Sequence, residues 1–281
     1  MDESDLEQIR ESYNRDGYVF PLQAMPADRA AEHRAMLESV ETMYSGDVMA
    51  TKILMGAASV VLPFVSEITR LPSLLGPVKA ILGDDVLLMG ANFFIKEPAT
   101  PAFISWHQDL TYWGYEGASE VTAWVALTAA SRENGCMRFV PGTHRRKIVD
   151  HRDTFEDANM LSRGQEIAVE VDEGDAVDVT LRPGEMSLHH GHLFHASGPN
   201  TSTDRRIGLA LRYVSPSMRQ QSGQATFAHL VSGTDRYGHF QLLESPTNVM
   251  ADSDVAAAKH ALAIQEEIGY EGAAERGKRT G

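Results

Sequence analysis

Residues 176–190, Ala176-Val177-Asp178-Val179-Thr180-Leu181-Arg182-Pro183-Gly184-Glu185-Met186-Ser187-Leu188-His189-His190, decide the fold class. Two short runs, Ala176 to Leu181 and Glu185 to His190, carry the β-branched and apolar residues of strands, and Pro183-Gly184 between them signals a turn. The same texture extends outward. Val86 to Lys96, Glu120 to Thr128, Cys136 to Val140, Glu166 to Val171 and Arg206 to Val214 are further strand-like runs, and Pro141-Gly142 is another turn. Repeated short strands without helices between them predict a closed sandwich or barrel of jelly-roll type.

Helical signals flank this region. Ser4 and Glu7 suit a capping box opening a helix with Leu6, Ile9 and Tyr13 on one side and Gly17 at its end. Tyr18 to Phe20 reads as a strand, residues 27–44 as a helix, and residues 67–82 as another, with Pro72 near its start and Gly83 after it. Asp252 to Ile268 reads as a final helix stopped by Gly269, followed by a frayed tail. The expected fold is mainly β with flanking α-helices around a double-stranded β-helix (jelly-roll, cupin-like) core. The expected organisation is one domain over 1–281: a mostly helical wrap at 1–85, a β-core at 86–215 and a strand/helix extension at 216–281.

Composition narrows the function. A net charge of −14 argues against nucleic-acid binding, which needs clustered Lys and Arg to neutralise phosphates. Cys136 is the single cysteine, so there is neither a disulfide framework nor a thiolate cluster for a metal. The acidic start, Met1-Asp2-Glu3-Ser4-Asp5, lacks the pattern of a secretory signal, and no apolar run reaches membrane-spanning length. The expectation is a cytoplasmic protein with a small-molecule substrate and no nucleic-acid or membrane partner; homo-oligomerisation stays open.

Trp106-His107-Gln108-Asp109 is the first stretch that carries chemistry. On a strand, residues two apart share a face, so His107 and Asp109 can reach one metal ion. A second histidine from elsewhere completes a 2-His-1-carboxylate triad, which holds iron(II) and leaves positions for a cosubstrate and O2. His151-Arg152-Asp153 matches the same short pattern, but it lies in the polar stretch 145–157 and reads as a solvated loop. The partner comes from His189, His190, His192 and His195; periodicity does not choose among them, because Gly191 can introduce a bulge and shift the phase.

These segments resemble the phytanoyl-CoA dioxygenase family of 2-oxoglutarate-dependent oxygenases. The resemblance runs from Asp16-Gly17-Tyr18 through Trp106-His107-Gln108-Asp109 and Pro141-Gly142-Thr143-His144 to His195-Ala196-Ser197-Gly198-Pro199-Asn200 and Arg206, covering about residues 10–215. It implies that His107, Asp109 and His195 are the iron ligands and that Arg206 grips the distal carboxylate of 2-oxoglutarate. Arg suits that task physically, since its planar fork matches a carboxylate bidentately. Arg205 is adjacent, but neighbouring strand residues face opposite ways, so one of the two points inward. Ser197, Lys96 and Trp124 resemble cosubstrate-contacting positions; a strand-end charge and a core aromatic are equally ordinary readings of the last two. Halogenating relatives replace the triad carboxylate with a small residue, and Asp109 is present here.

The implied function is an iron(II)- and 2-oxoglutarate-dependent dioxygenase that hydroxylates a small metabolite, with O2 as second cosubstrate and succinate and CO2 released. Tyr112, Trp113 and Tyr115 follow Asp109 and can wall a substrate pocket, although a packed loop at the barrel mouth is the more ordinary reading. Arg138 and Arg212 can hold an anionic substrate or serve as ordinary ion-pair residues. Two other classes compete: a cupin-like metal hydrolase or isomerase, which has no use for Arg206, and a catalytically silent binding barrel, which has no reason to retain triad and Arg together.

Overall fold

The computed structural model describes residues 1–111, 113–154, 156–161 and 164–269. Helices α1 (Glu3–Asp16), α2 (Ala27–Met43), α3 (Val48–Gly56), α4 (Ala58–Val61), α5 (Pro63–Ile68) and α6 (Pro72–Leu82) precede most of the strands. The capping box of α1 is made by Asp2 and Asp5 rather than Ser4 and Glu7: Asp2 accepts from the Asp5 amide at 2.9 Å and Asp5 from the Asp2 amide at 3.0 Å. Gly17, at φ 85°, closes the helix by donating to Tyr13 O. The helix expected at 67–82 is divided. Leu71 is extended at ψ 129° because it precedes Pro72, so the chain leaves α5 and restarts α6 with proline in its first turn.

The principal sheet has the order β1 (Tyr18–Gln23), β10 (Glu185–His189), β5 (Glu120–Ala126), β12 (Arg206–Val214), β2 (Val86–Lys96), β14 (Thr226–Ser232) and β15 (Phe240–Leu242). A smaller sheet is ordered β3 (Ile104–His107), β11 (His195–Ser197), β6 (Met137–Phe139) and β9 (Val177–Val179). Two ribbons pair β4 (Tyr115–Glu116) with β13 (Arg219–Gln220), and β7 (His151–Asp153) with β8 (Gln165–Ile167). All these pairings are antiparallel apart from β14 with β15, and the two facing sheets form the expected jelly roll. The principal sheet takes strands from both flanks of 86–215, with β1 at one edge and β14–β15 at the other. The stretch expected as a loop around His151 is a strand, held by its pairing with β8. Helix α7 (Asp252–Gly269) packs on α3, α4 and β14; the expected tail beyond it lies outside the described residues. Among those residues no helix is long and apolar enough to cross a membrane.

Register decides which residues face which layer, because directly opposed residues on antiparallel strands share a face and neighbours alternate. Leu188, Ala123, Val125, Leu209, Leu211 and Ala91 turn outward and form one core with Leu37, Ile53, Leu62, Val65 and Leu74 of the helices. The opposite face looks at the smaller sheet. There Trp124, Ala126 and Ala210 meet Met137, Phe139 and Val179 at one end of the interior. The helical layer therefore buries one face of the sheet and leaves the other for the site.

Candidate metal and cosubstrate site

Strand β3 stops at His107, and Asp109 opens a short 3-10 turn, Asp109–Thr111. The two side chains thus converge through a turn and not through the two-residue repeat of a strand. His195 lies directly opposite His107 on β11. The ligand atoms of His107, Asp109 and His195 all lie within 4.8 Å of one another, with His107 Nε2 3.4 Å and His195 Nε2 3.9 Å from Asp109 Oδ1. His107 Nδ1 lies 2.9 Å from Ser105 O, and His195 Nδ1 2.9 Å from Leu193 O. A carbonyl only accepts, so each Nδ1 carries the proton and each Nε2 keeps its lone pair for the centre of the cluster.

Electrostatics favour the same state. Burial pushes the Asp109 carboxyl up, but the neighbouring His107 and His195 and the positive charge of Arg212 outweigh it and hold the group well below the usual carboxylate range. Burial, with His107 adding to it, pushes His195 well down and keeps it neutral. A neutral imidazole and an ionised carboxylate are the forms that bind a cation.

Between the two ligands sits Gln108, fully buried. Its amide donates to Lys147 O at 2.6 Å and His192 O at 2.7 Å, and its Oε1 accepts from the Val149 amide at 2.9 Å. The backbone amide of Gln108 donates to His151 Nε2 at 3.3 Å. The second His-x-Asp motif therefore props up the first.

The histidine cluster divides between the sheets. His189 ends β10 on the inner face of the principal sheet, its ring 5.1 Å from that of His195. The chain then turns at Gly191, where an added Cβ would lie 2.8 Å from Leu110 Cγ, and returns as β11 carrying His195. His190 faces Tyr13 and His144, away from the cluster, with its Nδ1 3.4 Å from Glu120 Oε1. His192 gives its carbonyl to Gln108.

At the far end of the same interior, Arg206 and Lys96 oppose each other on β12 and β2. Both are essentially fully buried, at 1% and 0% exposure, and neither has an acidic partner among the described residues. Lys96 Nζ donates to Ser197 Oγ at 2.7 Å, and Arg206 Nη1 to Gly135 O at 2.8 Å; Arg206 Nε is buried without a partner. The guanidinium lies over Trp124, 5.3 Å from the ring centroid. Trp124 in turn lies against Gly208, where an added Cβ would come 1.8 Å from the indole. Burial, with Arg206 beside it, pulls Lys96 down to about 6, and burial pulls Arg206 down to about 10. A buried guanidinium without a counter-charge, beside an amine that can take up a proton, suits the carboxylate end of 2-oxoglutarate. Arg205, by contrast, faces outward to Glu41 and Glu97.

The structure thus brings together Lys96, Trp124, Ser197 and Arg206 at one end and His107, Asp109 and His195 near the other. Trp113 and Arg212 also meet, 5.4 Å apart. Arg138 is elsewhere: it opposes Ala196, one residue out of phase with His195, and pairs with Glu173 and Asp178 on the outer side of the smaller sheet. Tyr112 lies outside the described residues. Sequence reasoning passed over Asn92, Thr122 and Ser187 on the inner face, and weighed His189 there only as a metal ligand. Their signal was a polar residue at every second position of strands with few exposed residues.

Comparison with known proteins agrees with this geometry. The family model described as phytanoyl-CoA dioxygenase (PhyH) matches residues 13–208. A probable alpha-ketoglutarate-dependent hypophosphite dioxygenase of Stutzerimonas stutzeri is 31% identical over 182 residues, 64% of this chain and 59% of that one. The chain spans about half the length of other curated relatives it matches, 50% and 52% in two of them. The solved structure of ThoJ, described as a non-heme monooxygenase in its apo form, superposes with a TM-score of 0.84 at 30% identity, covering 94% of this chain and 98% of that one. The epimerase SnoN in complex with Fe3+, alpha ketoglutarate and nogalamycin RO shares the fold, with a TM-score of 0.65 at 21% identity over 89% of this chain and 98% of that one. The His–Asp–His cluster is one that could hold a metal ion, and the name of the Stutzerimonas relative carries alpha-ketoglutarate. Because the matched region holds both ends of the interior, from β1 to Arg206, the chain belongs to the phytanoyl-CoA dioxygenase family of 2-oxoglutarate-dependent oxygenases.

Proposed function

We propose that this protein hydroxylates a small molecule in a reaction that consumes 2-oxoglutarate and O2 and releases succinate and CO2. One observation carries the reading: a His–Asp–His cluster and a buried, counter-charge-free Arg206–Lys96 pair share one interior between two sheets. In this reading His107, Asp109 and His195 hold iron(II), Arg206 holds the distal carboxylate, and Lys96, Ser197 and Trp124 line that end. When bound, the iron–cosubstrate pair supplies the oxidising power that replaces a C–H bond with a C–O bond.

The chain's own residues orient and shield. Carbonyls of Ser105 and Leu193 fix the two imidazoles, and Asp109 keeps its negative charge as the third ligand, where halogenating relatives leave room for a halide. Arg206, held by Gly135 O and the face of Trp124, sets how far the cosubstrate reaches. Phe139, Trp124 and Leu110 are buried around the interior and keep water from the reacting atoms. Two relatives support oxygen insertion by name, the hypophosphite dioxygenase and the monooxygenase ThoJ; the epimerase SnoN marks a different outcome on the same fold.

The test is succinate formation with iron(II), ascorbate and O2 across a panel of small metabolites, with Arg206→Ala as control. Substrate-stimulated succinate accompanied by a product one oxygen heavier, both lost in the control, is the expected result. Turnover without O2, or succinate unchanged in the control, would overturn the proposal.

A further inference from the structure

Arg206 and Arg212 project from the same face of β12, six residues and so about 20 Å apart along the strand. The first is assigned to the cosubstrate; the second has no task. Arg212 sits on the side of the metal cluster remote from Arg206. Burial is the largest influence on both guanidiniums, but Arg212 acts on Asp109 and Glu120, whereas Arg206 acts on Lys96 and Cys136.

The surroundings of Arg212 are those of a binding group. Its guanidinium is braced by the Trp113 indole, and Nη1 donates to Asn92 Oδ1, which fixes one corner of the fork. Nε is buried without a partner, and no described residue accepts a hydrogen bond from Nη2. The Nε–Nη2 edge is the one that receives two oxygens of an oxyanion side by side. Across the sheet from Arg212 come Thr122 and then His189, directly opposed in register, and Thr122 Oγ1 and His189 Nδ1 are also buried and partnerless. Buried polar groups are nearly always satisfied, so a row of such atoms beside a metal cluster suits the polar end of a ligand.

A purely structural role as counter-ion fits less well. Among the described residues neither Asp109 nor Glu120 makes an ion pair with Arg212. Glu120 Oε1 already accepts from the Gly191 amide at 2.5 Å, and burial pushes its carboxyl well up, toward the neutral form. Asp109 is committed to the metal. The positive charge of Arg212 is therefore left facing the interior.

We propose that Arg212, with Trp113, Asn92, Thr122 and His189 around it, anchors an oxyanion of the molecule that is oxidised, a carboxylate or a phosphorus oxyanion. The inference rests on the iron–2-oxoglutarate reading and adds the substrate class.

The probe is the anaerobic holoenzyme with iron(II) and saturating 2-oxoglutarate. It is titrated with monocarboxylates from acetate to phenylacetate, with their amides, and with hypophosphite, following the visible charge-transfer band and the heat of binding. At least one anion is expected to perturb the band and bind roughly ten-fold or more tighter than its neutral counterpart. Hypophosphite alone would assign the phosphorus class; an acid preferred to its amide would assign the carboxylate class. Arg212→Gln should abolish that preference while retaining the unperturbed band, and Arg212→Lys should keep a weakened preference. Acids binding no better than amides together with no response to hypophosphite, or a preference that survives in Arg212→Gln, overturns the proposal. Loss of the band itself in Arg212→Gln also overturns it, by making Arg212 a positioning residue for the metal. Absence of the band in the wild type would instead sink the iron–2-oxoglutarate reading on which the proposal stands.

Discussion

His107 and His195 face each other across one antiparallel pair, their ring centroids 4.0 Å apart and each Nδ1 bonded to the carbonyl two residues before it. The repeated His-to-carbonyl bond, two residues back on both strands, presents two Nε2 lone pairs to one point beside Asp109. Replacing His195 with Ala should lower iron(II) affinity by more than the roughly 10–100-fold that loss of an outer partner costs. Anaerobic metal titration measures this, and unchanged affinity would remove His195 from the centre.

Gln108 is expected to matter for stability as much as for the metal. In Gln108→Leu the carbonyls of Lys147 and His192 and the amide of Val149 lose their partner. These bonds are half-buried and each is worth about 0.5–1.5 kcal/mol, so the variant should lose about 3 kcal/mol in urea unfolding of the metal-free protein. A loss within experimental error of zero would mean that this side chain does not tie the loops together.

The low Lys96 value, about 6 against an ordinary 10.5, gives cosubstrate binding a pH dependence. Its folded value lies below its unfolded one, so between about 6 and 10.5 the unfolded chain holds the extra proton, and Lys96 contributes stability that rises with pH across that window. A bound dianion favours the charged amine and draws the proton back. Affinity for 2-oxoglutarate should therefore weaken as pH rises from 6.5 to 8.5, by up to about ten-fold per pH unit for one linked proton. Calorimetry over that range measures it. Lys96→Met should flatten the dependence, and an equal slope in the variant would assign the proton elsewhere.

Gly208→Ala tests the cosubstrate end without touching a charge. The new methyl would overlap the Trp124 indole, which must swing away from the guanidinium of Arg206. The expected outcome is weaker 2-oxoglutarate binding, by roughly ten-fold if about 1–2 kcal/mol of the stacked arrangement is lost, with iron(II) affinity unchanged. Equal loss of both would indicate general damage to the barrel.

The sequence exposed the strands well where turns were marked by Pro-Gly pairs, and β12 matches its expected limits, Arg206–Val214, residue for residue. It concealed β11, three residues long and set between two turns, because periodicity needs more length than that. The convergence of His107 and Asp109 was legible, though for the wrong geometric reason: a turn does the work assigned to a strand. His151 read as solvated because its neighbours are charged; nothing local announces that Gln108, far away in sequence, donates to it. The polar alternation of β5, Glu120-Val121-Thr122-Ala123-Trp124, was readable in principle. Its meaning depends on knowing that the other face is covered by helices, which is tertiary information.

The most direct test of the metal and cosubstrate assignment is an anaerobic titration of the metal-free protein with iron(II) and 2-oxoglutarate, read as visible absorbance. A weak charge-transfer band that saturates at one equivalent of each, and is absent in Asp109→Ala and weakened in Arg206→Ala, is the predicted result. A wild-type protein that binds both without the band, or an Asp109→Ala variant with the band intact, would contradict the assignment of His107, Asp109 and His195 as the iron centre.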